Sequence, residues 1–126
     1  MDIEKIQSYS CPIEAFVGVV GGKYKTAIIY ELAGRTLRYS ELARAVPNAT
    51  PRMLSRQLKE LEGDGIIHRK QYPVVPPKTE YSLTELGNTL IPIVRDMCEW
   101  GERYFERAGV PNPCTEINPN VYELAE

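Results

Sequence analysis

Apolar positions along this chain recur mostly at helical spacing, and one stretch abandons it. Within residues 50–63, Leu54, Leu58 and Leu61 lie at i, i+4 and i+7. At about 100° per residue they share one narrow sector, which predicts a helix with a single buried side. Arg52, Arg56 and Lys59 fall on the opposite sector. Thr50 followed by Pro51 marks the start, a hydroxyl for the orphan amides and then a residue whose missing N–H costs nothing there. Gly63 and Gly65, flanking Asp64, end it. The period then changes. Ile66, Ile67, Arg69, Gln71 and Tyr72 form a run without helical repeat, and Thr79, Tyr81 and Leu83 alternate with Glu80 and Ser82, as in two strands of a hairpin. Between them, Pro73-Val74-Val75-Pro76-Pro77-Lys78 cannot sustain a ladder and predicts a stiff projecting loop.

Upstream, Pro12 opens a segment in which Ile13, Phe16, Val17 and Val20 recur at i, i+3, i+4 and i+7, and Gly21-Gly22 stop it; that stripe is expected in the core. Residues 23–33 carry Ile28, Ile29 and Leu32 inward, with Gly34 as terminator. Ser40 is expected to cap a short helix running to Val46, with Leu42 and Val46 inward and Pro47 just beyond. This helix and the one from Thr50 form the arms of a helix-turn-helix, Pro47-Asn48-Ala49 being the turn. Leu37-Arg38-Tyr39 adds a small strand beside the hairpin. Downstream, Leu86, Leu90, Ile93, Val94, Met97, Gly101 and Tyr104 trace a stripe over residues 84–108. It is longer and broader than so small a domain covers by itself. Pro92 should kink this helix or force a restart. The predicted fold is mainly α with a small β-hairpin: a winged helix-turn-helix over residues 1–108 with a long C-terminal dimerisation helix, followed by a partly ordered tail over 109–126. The alternative for the stripe is packing within one winged domain.

A helix with leucines inward and cations outward fits the major groove, where Arg and Lys meet guanine edges or phosphates. Its candidate contacts are Thr50, Arg52, Met53, Ser55, Arg56 and Lys59, with Ser40 from the preceding helix. Arg69, Lys70 and Lys78 would grip backbone beside the groove from the wing. The net charge of −2 hides a split. Residues 34–78 hold nine Lys/Arg against four Asp/Glu, and the remainder six against thirteen. Local potential governs phosphate contact, so an acidic body with a basic reading segment suits double-stranded DNA. The competing reading is a solvated charged face on a winged-helix protein-interaction module without sequence-specific DNA binding. A homodimer pairing through Leu86, Leu90, Val94, Met97, Gly101 and Tyr104 would set two reading helices on one DNA face and call for an inverted-repeat operator.

Three cysteines, Cys11, Cys98 and Cys114, with no CxxC pair and a single histidine, His68, make neither a disulfide framework nor a metal site. No cofactor is expected. No nucleophile–base pair or phosphate-cradling glycine loop accompanies His68, so an enzyme is not expected either. No apolar run reaches a membrane span and no signal-peptide pattern opens the chain, so no membrane association and a cytoplasmic location are expected. Cys11 immediately precedes Pro12, which puts its sulfur near a helix N-terminus where thiolate is favoured. Against this, no Lys, Arg or His adjoins it, and a cysteine there can simply pack as a small apolar residue. Cys98 is expected in the core near the dimer seam and Cys114 exposed in the tail.

Several motifs occur in order: Cys11-Pro12-Ile13-Glu14, Gly21-Gly22-Lys23-Tyr24-Lys25, Tyr39-Ser40-Glu41-Leu42, Pro51-Arg52-Met53-Leu54, Gln57-Leu58-Lys59-Glu60-Leu61, Tyr72-Pro73 through Pro76-Pro77, and Tyr81-Ser82-Leu83-Thr84-Glu85-Leu86-Gly87. As a set, they resemble the HxlR-type family of bacterial winged-helix regulators. The resemblance spans residues 11–102. Tyr24 departs from it, standing where that family usually has tryptophan. The resemblance implies a dimeric DNA-binding transcriptional regulator, repressor or activator, and names no small-molecule effector. It also implies redox or electrophile sensing in some members through a cysteine matching Cys11.

Overall fold

The computed structural model describes residues 1–114 and 116–123, with Glu123 by its backbone alone. The elements are α1 (Ile3–Gln7), α2 (Pro12–Val20), α3 (Lys25–Leu32), β1 (Leu37–Arg38), α4 (Tyr39–Ala45), α5 (Pro51–Gly63), β2 (Ile67–Tyr72), β3 (Lys78–Leu83), α6 (Glu85–Asn88), α7 (Ile91–Ala108) and α8 (Asn120–Glu123). The sheet is antiparallel in the order β1-β3-β2. This is the expected winged helix-turn-helix, helical with a small sheet and a long C-terminal helix.

The core is built where the periodicity put it. Leu54, Leu58 and Leu61 of α5 bury against Ile28, Ile29 and Leu32 of α3 and against Leu42 of α4, with Ile66, Ile67 and Tyr81 closing the sheet side. The Thr50 hydroxyl caps α5, accepting from Met53 N at 3.2 Å, and Pro51 opens the first turn. After α5 the chain reverses at Gly65, whose φ of +79° is a conformation that a side chain would strain. β2 leaves directly and pairs with β3 from Ile67↔Leu83 to Tyr72↔Lys78. Leu37 and Arg38 pair with Tyr81 and Glu80, so the third strand is present, though Tyr39 already belongs to α4.

Two details differ from expectation and two add to it. The stripe of α2 is only half core: Val20 is buried and Phe16 packs on the core, but Ile13 and Val17 remain 74% and 56% exposed. Helical period shows that α2 is two-faced and not that its apolar face meets this protomer. Ser40 does not cap α4. The cap position is Arg38, whose backbone N–H donates to Glu41 Oε1 at 2.9 Å, and Ser40 sits in the first turn. Residues 84–108 make two helices, the restart alternative, because Pro92 stands in the opening turn of α7. The first, α6, is held against the hairpin at Gly87, where a Cβ would collide with the Ile66 carbonyl. Finally, the tail returns to the body instead of ending the fold at Ala108. Asn118 Nδ2 donates to the carbonyls of Tyr30 at 2.9 Å and Ala33 at 3.1 Å, its N–H donates to the Tyr30 hydroxyl at 2.7 Å, and Val121 is buried. The side-chain bonds meet carbonyls at the C-terminus of α3, where helical donors run out; that of Tyr30 also accepts from the Ala33 N–H at 3.3 Å, and that of Ala33 from Asn120 Nδ2 at 3.1 Å.

Candidate nucleic-acid interface

α5 is positioned from below by the chain entering α3. Tyr24 N–H donates to Gln57 Oε1 at 2.8 Å in a buried contact, and the Tyr24 hydroxyl donates to the carbonyl of Asn48, in the helix-turn-helix turn, at 2.9 Å. One turn of α5 further on, Lys25 Nζ lies 2.6 Å from Glu60 Oε2. Glu60 Oε1 in turn accepts from Arg56 Nε at 3.2 Å. The hydrogen bond from Lys25 holds the Glu60 carboxyl below the usual carboxylate range against the opposing desolvation, with the Lys25 charge and then Arg56 adding to it. One wall of α5 is therefore fixed at two points, Gln57 and Glu60, to residues more than thirty positions upstream.

The opposite wall is open. Arg52, Ser55, Arg56 and Lys59 are exposed on it. Among the described residues Arg52 and Lys59 make no ion pair, whereas Arg56 is shared with Glu60. Met53 is half-buried against the core and Thr50 spends its hydroxyl on the cap, so these two candidates are partly committed to the fold. Ser40, near the start of α4, is exposed. The Tyr39 ring bridges the two arms: its hydroxyl donates to the Pro51 carbonyl at 3.3 Å and receives Ser55 Oγ at 3.4 Å. A groove lined by Tyr39, Ser55, Lys59, Glu62 and Arg69 runs between α5 and the sheet, bringing Arg69 beside the reading helix.

Further along the wing, the Tyr72 ring carries two ammonium groups, Lys70 at 4.9 Å and Lys78 at 4.8 Å from its centroid. Lys78 is also 3.4 Å from Glu80. The Glu80 carboxyl is held low first by a hydrogen bond from the Tyr72 hydroxyl, with Lys78 and Arg38 adding. Lys78 is thus half-buried and partly neutralised, while Arg69 and Lys70 are exposed. His68 is exposed beside them.

Cys11 is the N-cap of α2, with its Sγ accepting from Glu14 N at 3.4 Å, and it is exposed. The Glu14 side chain accepts from Ser10 N at 3.1 Å and from the Ser10 hydroxyl. Burial pushes the Cys98 thiol up, with Glu102, Cys114 and Glu99 adding to it. Cys114 is exposed, its thiol 3.0 Å from the Glu116 carbonyl.

The stripe assigned to a dimer seam divides between two faces. Val94 is only 4% exposed and Leu90 packs on the same core, so both are taken up within the protomer; Gly101 lines a cavity on that inner side. Val94 is therefore spent on the protomer's own core and not left for a partner, whereas Leu90 and Gly101 keep intermediate exposure. Met97 and Tyr104 are exposed, together with Ile93 and Trp100; Leu86 is exposed on α6. Trp100 and Tyr104 stack at 5.1 Å between ring centroids.

Sequence reasoning missed Tyr24, Lys25 and Glu60 as supports of α5, since nothing local pairs them. Gln57 did carry a signal, being a polar residue three positions from Leu54 on the buried side.

Residues 19–109 match the family model described as HxlR-like helix-turn-helix. The chain belongs to the HxlR-like family. The HTH-type transcriptional regulator YybR of Bacillus subtilis is 53% identical over 92 residues, covering 73% of this chain and 74% of that protein. YdeP of the same organism, also an HTH-type transcriptional regulator, is 48% identical over 97 residues, 77% of this chain and 76% of its own. Among solved structures, the redox regulator HypR in its oxidized form superposes with a TM-score of 0.70 at 53% identity, covering 74% of this chain and 96% of that one. The reduced form of the regulator YodB from B. subtilis gives 0.66 at 31% identity, covering 79% and 98%. As an HxlR-like protein with this fold, the chain is a DNA-binding transcriptional regulator. The matched span takes in the helix-turn-helix, the wing and α7, and leaves out Cys11 and the tail after Gly109. Among the described residues, no helix is long and apolar enough to cross a membrane, and no group of three or more His, Cys, Asp or Glu is placed to hold a metal ion.

Proposed function

We propose that this HxlR-like regulator binds an inverted-repeat operator as a homodimer, with α5 in the major groove and the β2–β3 wing on the flanking backbone. The observation that carries it is the division of α5: Leu54, Leu58 and Leu61 are buried while Arg52, Arg56 and Lys59 stand on the open side, continuous with Arg69 of the wing. Arg52 and Lys59, unpaired among the described residues, are the strongest base or phosphate contacts. Ser40, Thr50 and Ser55 supply hydroxyls near the helix starts, and Lys70 and Lys78 contact phosphate. The function is regulatory and not enzymatic.

The dimer forms through the exposed faces of α2 and α7, where Ile13, Val17, Ile93, Met97, Trp100 and Tyr104 leave large apolar side chains in water. Cys11 is the redox- or electrophile-responsive residue. It is exposed, caps α2 next to the proposed interface, and belongs to a chain half-identical to a redox regulator. With a quinone, the Cys11 thiolate adds to a ring carbon and forms a C–S bond, the ring taking up a proton and keeping its oxygens.

The deciding experiment is duplex binding by fluorescence anisotropy over a salt series. Affinity should fall steeply with ionic strength, and Arg52→Ala should cost about 1–3 kcal/mol at the operator. Binding indifferent to salt and to the substitution would favour the interaction-module reading.

A further inference from the structure

Between α3, α7 and the returning tail lies a cavity of about 430 Å³. Its walls are largely apolar, with Val94, Met97 and Phe105 from α7 and Ile117 from the tail, and among the described residues its charged lining is Glu31, Glu102 and Glu116, with no Lys or Arg. We infer that this cavity is an effector site for a small hydrophobic cation, a molecule with a bulky apolar body and one positive centre.

Volume and lining argue for a ligand of this class. The space is within the usual range for small-molecule sites, which are apolar with a few polar groups that fix orientation. The charge is one-sided. Glu31 pairs with Arg35 at 2.6 Å, yet its carboxyl is still pushed up, first by burial and further by Glu116. A cation seated there would relieve the unfavourable charge that burial and Glu116 impose, whereas an anion would add to it. The tail contributes Ile117 and Glu116, anchored through Asn118 to the end of α3.

The site is also connected to the reading helix. Thr26, Ala27 and Tyr30 on the cavity wall belong to α3, and Lys25, the first residue of that helix, holds Glu60 of α5. A ligand that displaces α3 would displace α5. This coupling rests on the DNA-binding reading above; ligand occupancy does not.

The test uses the full-length protein in its native assembly and a pair of ions alike in size and shape, tetraphenylphosphonium and tetraphenylborate, in sodium buffer. Calorimetry should give saturable binding of the phosphonium at one per protomer, about tenfold tighter than the borate, a difference of roughly 1.4 kcal/mol. Gly101→Phe fills the cavity from α7 at a position where an added Cβ meets nothing within 4 Å. It should abolish phosphonium binding while leaving the mass by light scattering and the far-UV spectrum unchanged. Glu102→Gln with Glu116→Gln should weaken the phosphonium several-fold and leave the borate unaffected. No phosphonium binding, equal binding of the two ions, or binding that survives Gly101→Phe would overturn the site. Duplex affinity is then measured with and without saturating phosphonium. A shift in the wild type that is absent in Gly101→Phe supports the coupling, and an unchanged affinity overturns it while occupancy stands. Duplex binding without phosphonium reports separately on the DNA reading.

Discussion

Lys25 Nζ and Glu60 Oε2 approach to 2.6 Å, and the pair is lopsided: the lysine side chain is 6% exposed and the glutamate 41%. The ammonium therefore depends on its partner in a way that the carboxylate does not. Glu60→Gln leaves a buried cation without its counter-charge, which costs several kcal/mol in a dry site; with solvent reaching the glutamate, about 1–2 kcal/mol is expected. Lys25→Met removes the charge but keeps the packed stem, and should stay within about 1 kcal/mol of the parent. Urea unfolding of both variants checks the asymmetry, and equal losses would count against it.

The same pair sets a pH dependence. The Glu60 carboxyl is lowered in the folded protein from its ordinary value of 4.5, so its contribution is present above that value and is lost as pH falls through the lowered folded value. Stability measured from pH 7 downward should decline more steeply in the parent than in Glu60→Gln. Because Glu60 also engages Arg56, Glu60→Gln should release that guanidinium and strengthen duplex binding even as it weakens the fold.

Local signals made α5 readable and left its supports hidden. Thr50, Pro51 and the leucine positions act within a few residues of one another, so spacing alone reveals cap, start and buried side. Lys25 and Glu60 are distant in sequence, as are Asn118 and Ala33, and neither pair leaves a periodic trace. Periodicity also gives the direction of an apolar face but not its neighbour. Val94 and Met97 lie within one turn of α7 and both line the cavity beside α3, yet one is 4% and the other 43% exposed; on α2, Ile13 and Val17 are exposed although Val20 of the same stripe is core. Membership of the winged helix-turn-helix class was legible because the order of elements, helix, break and paired strands, is itself sequential. Tyr24 illustrates the remainder: the motif placed an aromatic there, but only packing shows its hydroxyl tying down the turn at Asn48.

The wing lysines should differ in effect although both face Tyr72. Lys70 is exposed, while Lys78 is half-buried and shares its charge with Glu80. Lys70→Ala should weaken all duplexes about equally and flatten the salt slope by about one unit. Lys78→Ala should reduce the slope by less. A larger slope change at Lys78, or a change of sequence preference at either residue, would mean that the wing engages DNA in another way.

Replacing exposed and buried residues on α7 separates assembly from folding. Met97 is 43% exposed at the rim where the cavity meets the outer face of α7; Met97→Glu places a charge there and should yield monomers by light scattering with little loss of stability. Val94→Ala opens space in the core and should cost about 1–3 kcal/mol while the variant remains dimeric. An unchanged dimer in Met97→Glu would move the interface away from this face of α7.

The tail is tied to α3 through one side chain more than through any other. Asn118 is 4% exposed and its amide nitrogen serves two carbonyls, Tyr30 and Ala33. Asn118→Ala removes both bonds but leaves each carbonyl another donor, Asn120 Nδ2 for Ala33 at 3.1 Å and the Ala33 N–H for Tyr30 at 3.3 Å, so a loss of about 0.5–1.5 kcal/mol per bond is expected. Asn118→Asp should be worse, since it sets a carboxylate oxygen against the same two oxygens and replaces attraction with repulsion. Chemical denaturation should therefore rank the parent above Asn118→Ala and that above Asn118→Asp. If both variants matched the parent, the tail would contribute nothing to the fold, and a cavity wall that depends on its docking would lose its support.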